Sequence, residues 1–425
     1  MGNSCSCMRR SGEASASTPS NTESSVEEQI ERSKVHWSTL AEHSSSGLIA
    51  EDESDCEAEA EVSNVREFME LQRHPTWGGF FQTMGYDLGN LWKSLGELVV
   101  GEKFAEGGQA ELFHAKVTWW NPKDNELDER ERCHHVVKVF KKGTFLRHLK
   151  SQLPHGLLQW YVEDMENMES PTPKVIPRYI SRVYRGILLK NGQFAFLMEK
   201  DDFDLRSLIE RCFQLRVDKG RGPFSNEDGE SMMYDIALGV EFLHNRNIIH
   251  RDLKASNVLV QDYYRVSKWP KWLCYVADYE CSVGVVGTGF FRAPEILQAL
   301  NEQIISEKPE VFSRAADIYA YGMTCYEVLT GKLPFENHPL HDKTSSLINQ
   351  VINHDLRPKV PKYVEGWARK LLKRCWQRDP RARPSMGEIL DILSTNSYYV
   401  RLREESLKEK FGENHRNYLK HQKLI

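Results

Sequence analysis

No stretch of the 425-residue chain approaches eighteen consecutive apolar residues, so no spanning helix is expected. The opening MGNSCSCMRR has no apolar core of the kind a secretory signal needs, so export is not expected either. Cysteine is sparse: nine residues, Cys5, Cys7, Cys56, Cys133, Cys212, Cys274, Cys281, Cys325 and Cys375, with no pair of CxxC knuckles. That argues against a disulfide framework or a zinc knuckle and for a reducing compartment. An excess of one charge is missing too. The 56 basic residues face 61 acidic ones, and a net charge of −5 supplies no global field for DNA or RNA. There is no internal repeat at solenoid periods.

What is present suffices for a sizeable core, with 40% apolar against 28% charged residues. The length allows one large domain or two ordinary ones. Residues 1–65 are rich in Ser and Glu and close on EDESDCEAEAE (51–61), where seven of eleven residues are acidic. So little apolar surface predicts disorder there. Residues 66–97 bring several Trp and Phe at helical spacing, and read as an extension packed on the domain behind them. Residues 98–395 read as one α+β unit in two halves. Over 98–200, ELFHAKVTWW, HHVVKVF and FAFLMEK predict strands. Over 201–395, GESMMYDIALGVEFLHNRN and AADIYAYGMTCYEVL space their apolar residues as helices do. The tail, 396–425, is charged and predicted helical.

The segment IIHRDLKASNVLV (248–260) carries the chemistry. A carboxylate that accepts a hydroxyl proton and an amide oxygen that binds Mg²⁺ must share one rigid loop, and Lys254 between them can neutralise a transferring phosphoryl group. The segment resembles the catalytic loop of eukaryotic protein kinases. The resemblance extends over about 98–395 and implies the bilobal kinase fold, with a small β-rich lobe and a larger helical one. It implies ATP and Mg²⁺ as cofactors and proteins as substrates. Asp252 and Lys254 are then the catalytic pair, and Asn257 a metal ligand. Lys138 in Val136-Val137-Lys138 takes the place of the strand lysine that pairs with ATP phosphates. Its expected carboxylate is Glu163, with Glu166 the runner-up and Glu169 a further candidate.

Other landmarks follow in order. The phosphate-covering loop falls at FAEGGQAELFHAKV (104–117), where the family's three glycines would be Ala105, Gly107 and Ala110, with Leu112 and Ala115 after them. Only the middle one is Gly, which implies a stiffer lid. The charged run 119–133 reads as a hairpin insertion. FLMEK (196–200) matches the hinge, with Met198 and Glu199 beside adenine. Where the family writes Asp-Phe-Gly, this chain has Asp278-Tyr279-Glu280. The metal ligand Asp278 is kept, but Glu280 removes a permissive hinge and adds a charge. Two readings stay open, a loop locked in its active arrangement or a weakened enzyme.

The activation segment is short. Thr288 is expected to bond Asp252 and Lys254, which points to the serine/threonine type. Arg251 suggests control by a phosphate, with Ser282 the candidate site. Glu295 in Ala293-Pro294-Glu295 is expected to pair with Arg383, and Asp317 to brace the catalytic loop. The ending CWQRDPRARPS (375–385) resembles the tyrosine-kinase-like group, which includes mixed-lineage, Raf-like and plant receptor-like cytoplasmic kinases.

Met1-Gly2-Asn3-Ser4-Cys5-Ser6 fits a myristoylation pattern, with Gly2 as acceptor. One such chain holds only marginally, and Cys5 and Cys7 are placed for palmitoylation. The expectation is a Ser/Thr protein kinase lipid-anchored at the cytoplasmic face of a membrane, the plasma membrane first. A nucleotide-binding pseudokinase scaffold and a dual-specificity kinase are the alternatives.

Overall fold

From Glu53 on, the acidic run lies in a helix that buries one stripe. In the computed structural model, residues 53–83, 91–92, 96–121, 126–150, 157–158, 161, 179–189, 191–262, 271–281 and 285–411 are described. Helix α1 spans Glu53–Gln72. Its Ala60, Asn64, Phe68 and Leu71 are buried and spaced four, four and three apart, which puts them on one stripe. The expectation of disorder to residue 65 is therefore corrected for residues 53–65. Glu and Ala are both strong helix formers, and Glu57, Glu59 and Glu61 lie off the buried stripe.

Asn64 fixes that helix to the sheet behind it. Its Nδ2 donates to the carbonyls of Thr144 (2.9 Å) and Gly192 (3.2 Å), and its Oδ1 accepts from the Leu146 amide at 2.6 Å. Gly192 sits at φ +76° with Glu61 Cβ 2.7 Å from where a side chain would begin, so only glycine fits this approach.

The small lobe is a seven-stranded sheet among the described residues. Its strands are β1 (Phe81–Thr83), β2 (Leu91–Trp92), β3 (Gly96–Glu106), β4 (Ala110–Asn121), β5 (Glu126–Phe140), β6 (Val183–Leu188) and β7 (Phe194–Glu199). The order is β1-β6-β7-β5-β4-β3-β2, and β1 runs parallel to β6 while the other pairs are antiparallel. The extension thus adds an edge strand to the sheet. The Phe81 ring closes over Gly186, where a Cβ would stand 2.8 Å from it. Within the charged run, residues 119–121 and 126–133 belong to the long β4–β5 ladder, in which Trp120 pairs with Leu127. Along β5, Val137 and Val139 enter one apolar cluster and Phe140 the other. Period-two alternation therefore puts Lys138 on the Phe140 side.

After the short helix α2 (Leu146–Lys150), the large lobe opens with β8 (Phe203–Asp204) and helix α3 (Leu205–Leu215), capped by the Asp204 side chain on the Ser207 amide. Helix α4 (Asn226–His244) is buried over nearly its whole length. Strands β9 (Val258–Asp262) and β10 (Trp272–Val276) form a small sheet with β8, in the order β10-β9-β8. Helix α5 (Pro294–Asn301) precedes α6 (Arg314–Thr330), the other buried helix, which ends on Gly331 at φ +76°. Then follow α7 (Thr344–Asn353), α8 (Gly366–Cys375), α9 (Met386–Asn396) and α10 (Tyr398–Phe411). The chain has the expected bilobal α+β fold.

The charged tail is tied to the strand that leads into the site. Arg403 of α10 pairs with buried Asp235 of α4 at 3.1 Å, and Asp235 also accepts from the Cys274 amide in β10. Glu404 accepts from the Tyr234 hydroxyl at 2.9 Å.

Replacing Asn64 with Leu leaves the buried Leu146 amide and two carbonyls without partners. The unfolding free energy is expected to fall by about 2–3 kcal/mol, read as a lower denaturant midpoint at unchanged slope.

Candidate active site

The loop after α4 is held from below by one carboxylate. Asp317, in the first turn of α6, accepts from the backbone amides of His250 (2.8 Å) and Arg251 (2.9 Å) and from His244 Nε2 (2.9 Å). His250 is fully buried and donates Nε2–H to the Ala277 carbonyl at 2.8 Å. That bond ties the loop to the strand end carrying Asp278. Arg251 is left-handed at φ +68° and Asp278 at φ +63°. Both are strained for residues with a Cβ, and the surrounding bonds hold them there.

Above that anchor, three polar side chains form a triangle. The Thr288 hydroxyl donates to Asp252 Oδ1 at 2.6 Å and accepts from Lys254 Nζ at 2.7 Å. Lys254 Nζ also lies 2.8 Å from Asp252 Oδ2. Asn257 donates its Nδ2 to the Asp252 carbonyl (2.8 Å) and Oδ2 (3.3 Å). With its nitrogen so engaged, the amide oxygen of Asn257 is the atom left to accept a cation. From α6 below, Glu327 accepts from the Ala255 amide and from Arg206 of α3, both at 3.2 Å. Burial pushes its carboxyl up to about 7, against the pull of Arg206.

The segment Asp278–Glu280 lies within electrostatic reach of Lys254 and His250. Lys138 Nζ donates to Asp278 Oδ1 at 2.6 Å and to Glu280 Oε1 at 2.8 Å. The charge of Lys138 holds the Asp278 carboxyl below the usual carboxylate range, against desolvation that pushes it up. Tyr279 turns the other way, fully buried, and donates its hydroxyl to the Ser181 carbonyl at 2.9 Å. With that proton committed, Tyr161 donates to Tyr279 across 2.7 Å. The Tyr161 ring stacks on Phe80 of the extension, centroids 5.1 Å apart. The extension thus reaches the metal loop through two aromatic side chains. Asp278 and Asn257 offer hard oxygen donors, a set that fits Mg²⁺ brought in with phosphate oxygens.

The lid is a tight β3–β4 hairpin. Gly107 N–H bonds the Ala110 carbonyl at 2.8 Å, and Ala105 pairs with Leu112. Ala110 and Ala115 are buried. Lys103 and Lys141 bind Glu106 at the hairpin, and the Lys103 hydrogen bond leads in lowering its carboxyl to about 2. Met198 pairs with Val136 in the β5–β7 ladder. Glu199, at the end of β7, accepts from the Tyr184 hydroxyl at 3.2 Å. Glu295 and Arg383 meet as a two-pronged pair at 2.7 and 2.8 Å.

The structure thus brings together Lys138, Asp252, Lys254, Asn257, Asp278 and Thr288. Glu163, Glu166, Glu169, Ser282, Gly2, Cys5 and Cys7 lie outside the described residues. Sequence reasoning missed four contacts. Glu280 touches Lys138, Tyr161 bonds Tyr279, Glu327 braces Ala255 and Asn64 docks α1. Glu280 and Tyr279 left a signal, their departures from the family's glycine and phenylalanine.

A family model for the protein kinase domain matches residues 176–393, just over half of the chain. The match takes in the catalytic and metal loops and begins after Lys138. The serine/threonine-protein kinase STY17 of Arabidopsis thaliana is 34% identical over 179 residues, covering 41% of this chain and 29% of that protein. A Dictyostelium discoideum protein described as a probable serine/threonine-protein kinase, drkD, is 31% identical over 301 residues, 70% of this chain and 20% of its own length. The dual specificity protein kinase pyk3 of the same organism is 31% identical over 164 residues, 39% of this chain and 11% of that protein. The chain spans under a third of the length of these curated relatives.

Glu327 sets a pH dependence. Its folded value near 7 lies above the ordinary 4.5, so the folded state binds more protons between those values and stability falls as pH rises through that window. Glu327→Gln is expected to flatten that slope, and the wild-type-minus-variant difference in unfolding free energy is expected to change by roughly 3 kcal/mol from pH 4.5 to 7.5. Denaturant titrations across pH measure it.

Proposed function

We propose, because the chain belongs to the protein kinase family, that it transfers the γ-phosphoryl group of ATP to serine and threonine hydroxyls of proteins. One observation carries the reading. Asp252, fixed by Thr288 and Lys254, shares a loop with Asn257, and the His250–Ala277 bond ties that loop to the Asp278–Lys138 pair. In this reading Asp252 orients the substrate hydroxyl and takes its proton as the oxygen attacks phosphorus. Lys254 balances charge on the transferring group, and Thr288 keeps both in place. Lys138 holds the non-transferring phosphates. Asn257 and Asp278 hold Mg²⁺, which when bound neutralises charge on the β- and γ-phosphates.

Attachment to the cytoplasmic face of the plasma membrane is part of the proposal. Its support is the sequence Gly2-Asn3-Ser4-Cys5-Ser6-Cys7, which offers a myristoyl acceptor and two thiols for palmitate. Arg9 and Arg10 add attraction to anionic lipid. No helix among the described residues is long and apolar enough to cross a membrane.

Incorporation of label from ATP with Mg²⁺ into a generic basic protein tests the chemistry. Asp252→Ala is expected to lose about a thousandfold in rate at unchanged melting temperature. No incorporation by wild type, with ATP still raising its melting temperature, would leave a nucleotide-binding scaffold. Phosphoamino-acid mapping reads the alternative of tyrosine transfer, which the likeness to pyk3 favours. Gly2→Ala is expected to move the protein from the membrane to the soluble fraction, and an unchanged distribution would sink the anchoring proposal.

A further inference from the structure

Glu280 has no task in the reaction as described. It sits in the turn Tyr279–Cys281 with no exposed surface, and its Oε1 lies 2.8 Å from Lys138 Nζ. Its Oε2 is buried and has no hydrogen-bond partner among the described residues. Burying a carboxylate with one oxygen unsatisfied is costly, and a cation alongside is what makes it tolerable. Asp278, on the same amine, is different. Its side chain is 50% exposed, whereas that of Glu280 is 0% exposed. Among the described residues, Lys138 therefore meets one carboxylate open to solvent and one sealed in protein.

The two cannot serve alike during turnover. Whatever cation and phosphate enter the cleft compete for Asp278 and for the front of the amine. Neither solvent nor ligand reaches Glu280. We propose that Glu280 is a positioning residue, a permanent rear anchor that keeps the Lys138 amine aimed into the cleft whichever partner occupies the front. The anchor lies two residues from Asp278 on the same turn, so lysine and metal ligand are held as one unit. A glycine, which the family's motif has at this place, offers no such group. The inference rests on the kinase reading only for what Lys138 binds.

The test is a set of full-length variants measured for Mg·ATP affinity and for steady-state transfer. Glu280→Gln keeps the shape and removes the charge. It is expected to raise both the Kd and the KM for Mg·ATP about tenfold, with kcat within about twofold, because the anchor acts equally in the ground and transition states. Glu280→Asp keeps the charge and is expected to return to within about threefold of wild type. A merely structural role would lower kcat per chain and leave KM and Kd unchanged, which overturns the proposal, as does Glu280→Gln with wild-type constants. Wild type that binds Mg·ATP but transfers nothing defeats the kinase reading alone, since the Kd series still decides on Glu280. Melting temperatures guard against folding failure. Lys138→Met strands the buried carboxylate and is expected to melt about 5 °C or more below wild type, and adding Glu280→Gln to it is expected to recover most of that loss. Losses that simply add overturn the pairing.

Discussion

Asp317 lies almost wholly buried at the start of α6 and takes three N–H groups, from the His250 and Arg251 backbones and from His244. Those bonds hold Arg251 in a left-handed conformation that a residue with a Cβ adopts only under constraint. The direction in which Asp252 leaves the loop follows from that bend, and Thr288, Lys254 and Asn257 are arranged around it. Through His250 and Ala277 the same loop grips the end of β10, and with it Asp278. The rigidity of the Asp252 carboxylate is thus obtained from a helix terminus beneath the loop rather than from the loop's own sequence.

The small lobe meets this frame through the metal loop. At Asp278 the backbone turns left-handed, Tyr279 goes into the core, and carboxylates 278 and 280 meet one lysine. Tyr279 then bonds Ser181 and Tyr161, and Tyr161 stacks on Phe80. The N-terminal extension is therefore part of the site's support. Its α1 docks by Asn64, its β1 extends the sheet, and its Phe80 ring lies two side chains from Asp278. Replacing the family's phenylalanine with tyrosine adds a hydroxyl that both neighbours satisfy, so its burial costs little.

At the far end, α10 completes the large lobe. Asp235 is desolvated beneath it, which pushes its carboxyl up, and Arg403 pulls the other way. Asp235 also bonds the Cys274 amide of β10, so the tail helix and the strand before Asp278 share one carboxylate. Supports for the metal loop thus come from both ends of the described chain.

Read alone, the sequence determined the bilobal α+β fold and the pairing of Glu295 with Arg383, and it singled out Lys138, Asp252, Lys254, Asn257, Asp278 and Thr288 as candidates that the fold then ties together. These are legible because phosphoryl transfer needs particular residue types at fixed short spacings along one loop or strand. The tertiary structure alone decided that the acidic run continues as a docked helix, since composition registers its solvent face and a single buried stripe is enough to hold it. It also decided where the Glu280 carboxylate points. A glutamate in place of glycine reads in sequence as added charge near a metal. Whether that charge repels or anchors depends on the left-handed turn at Asp278 and on the reach of Lys138 from β5, more than a hundred residues earlier.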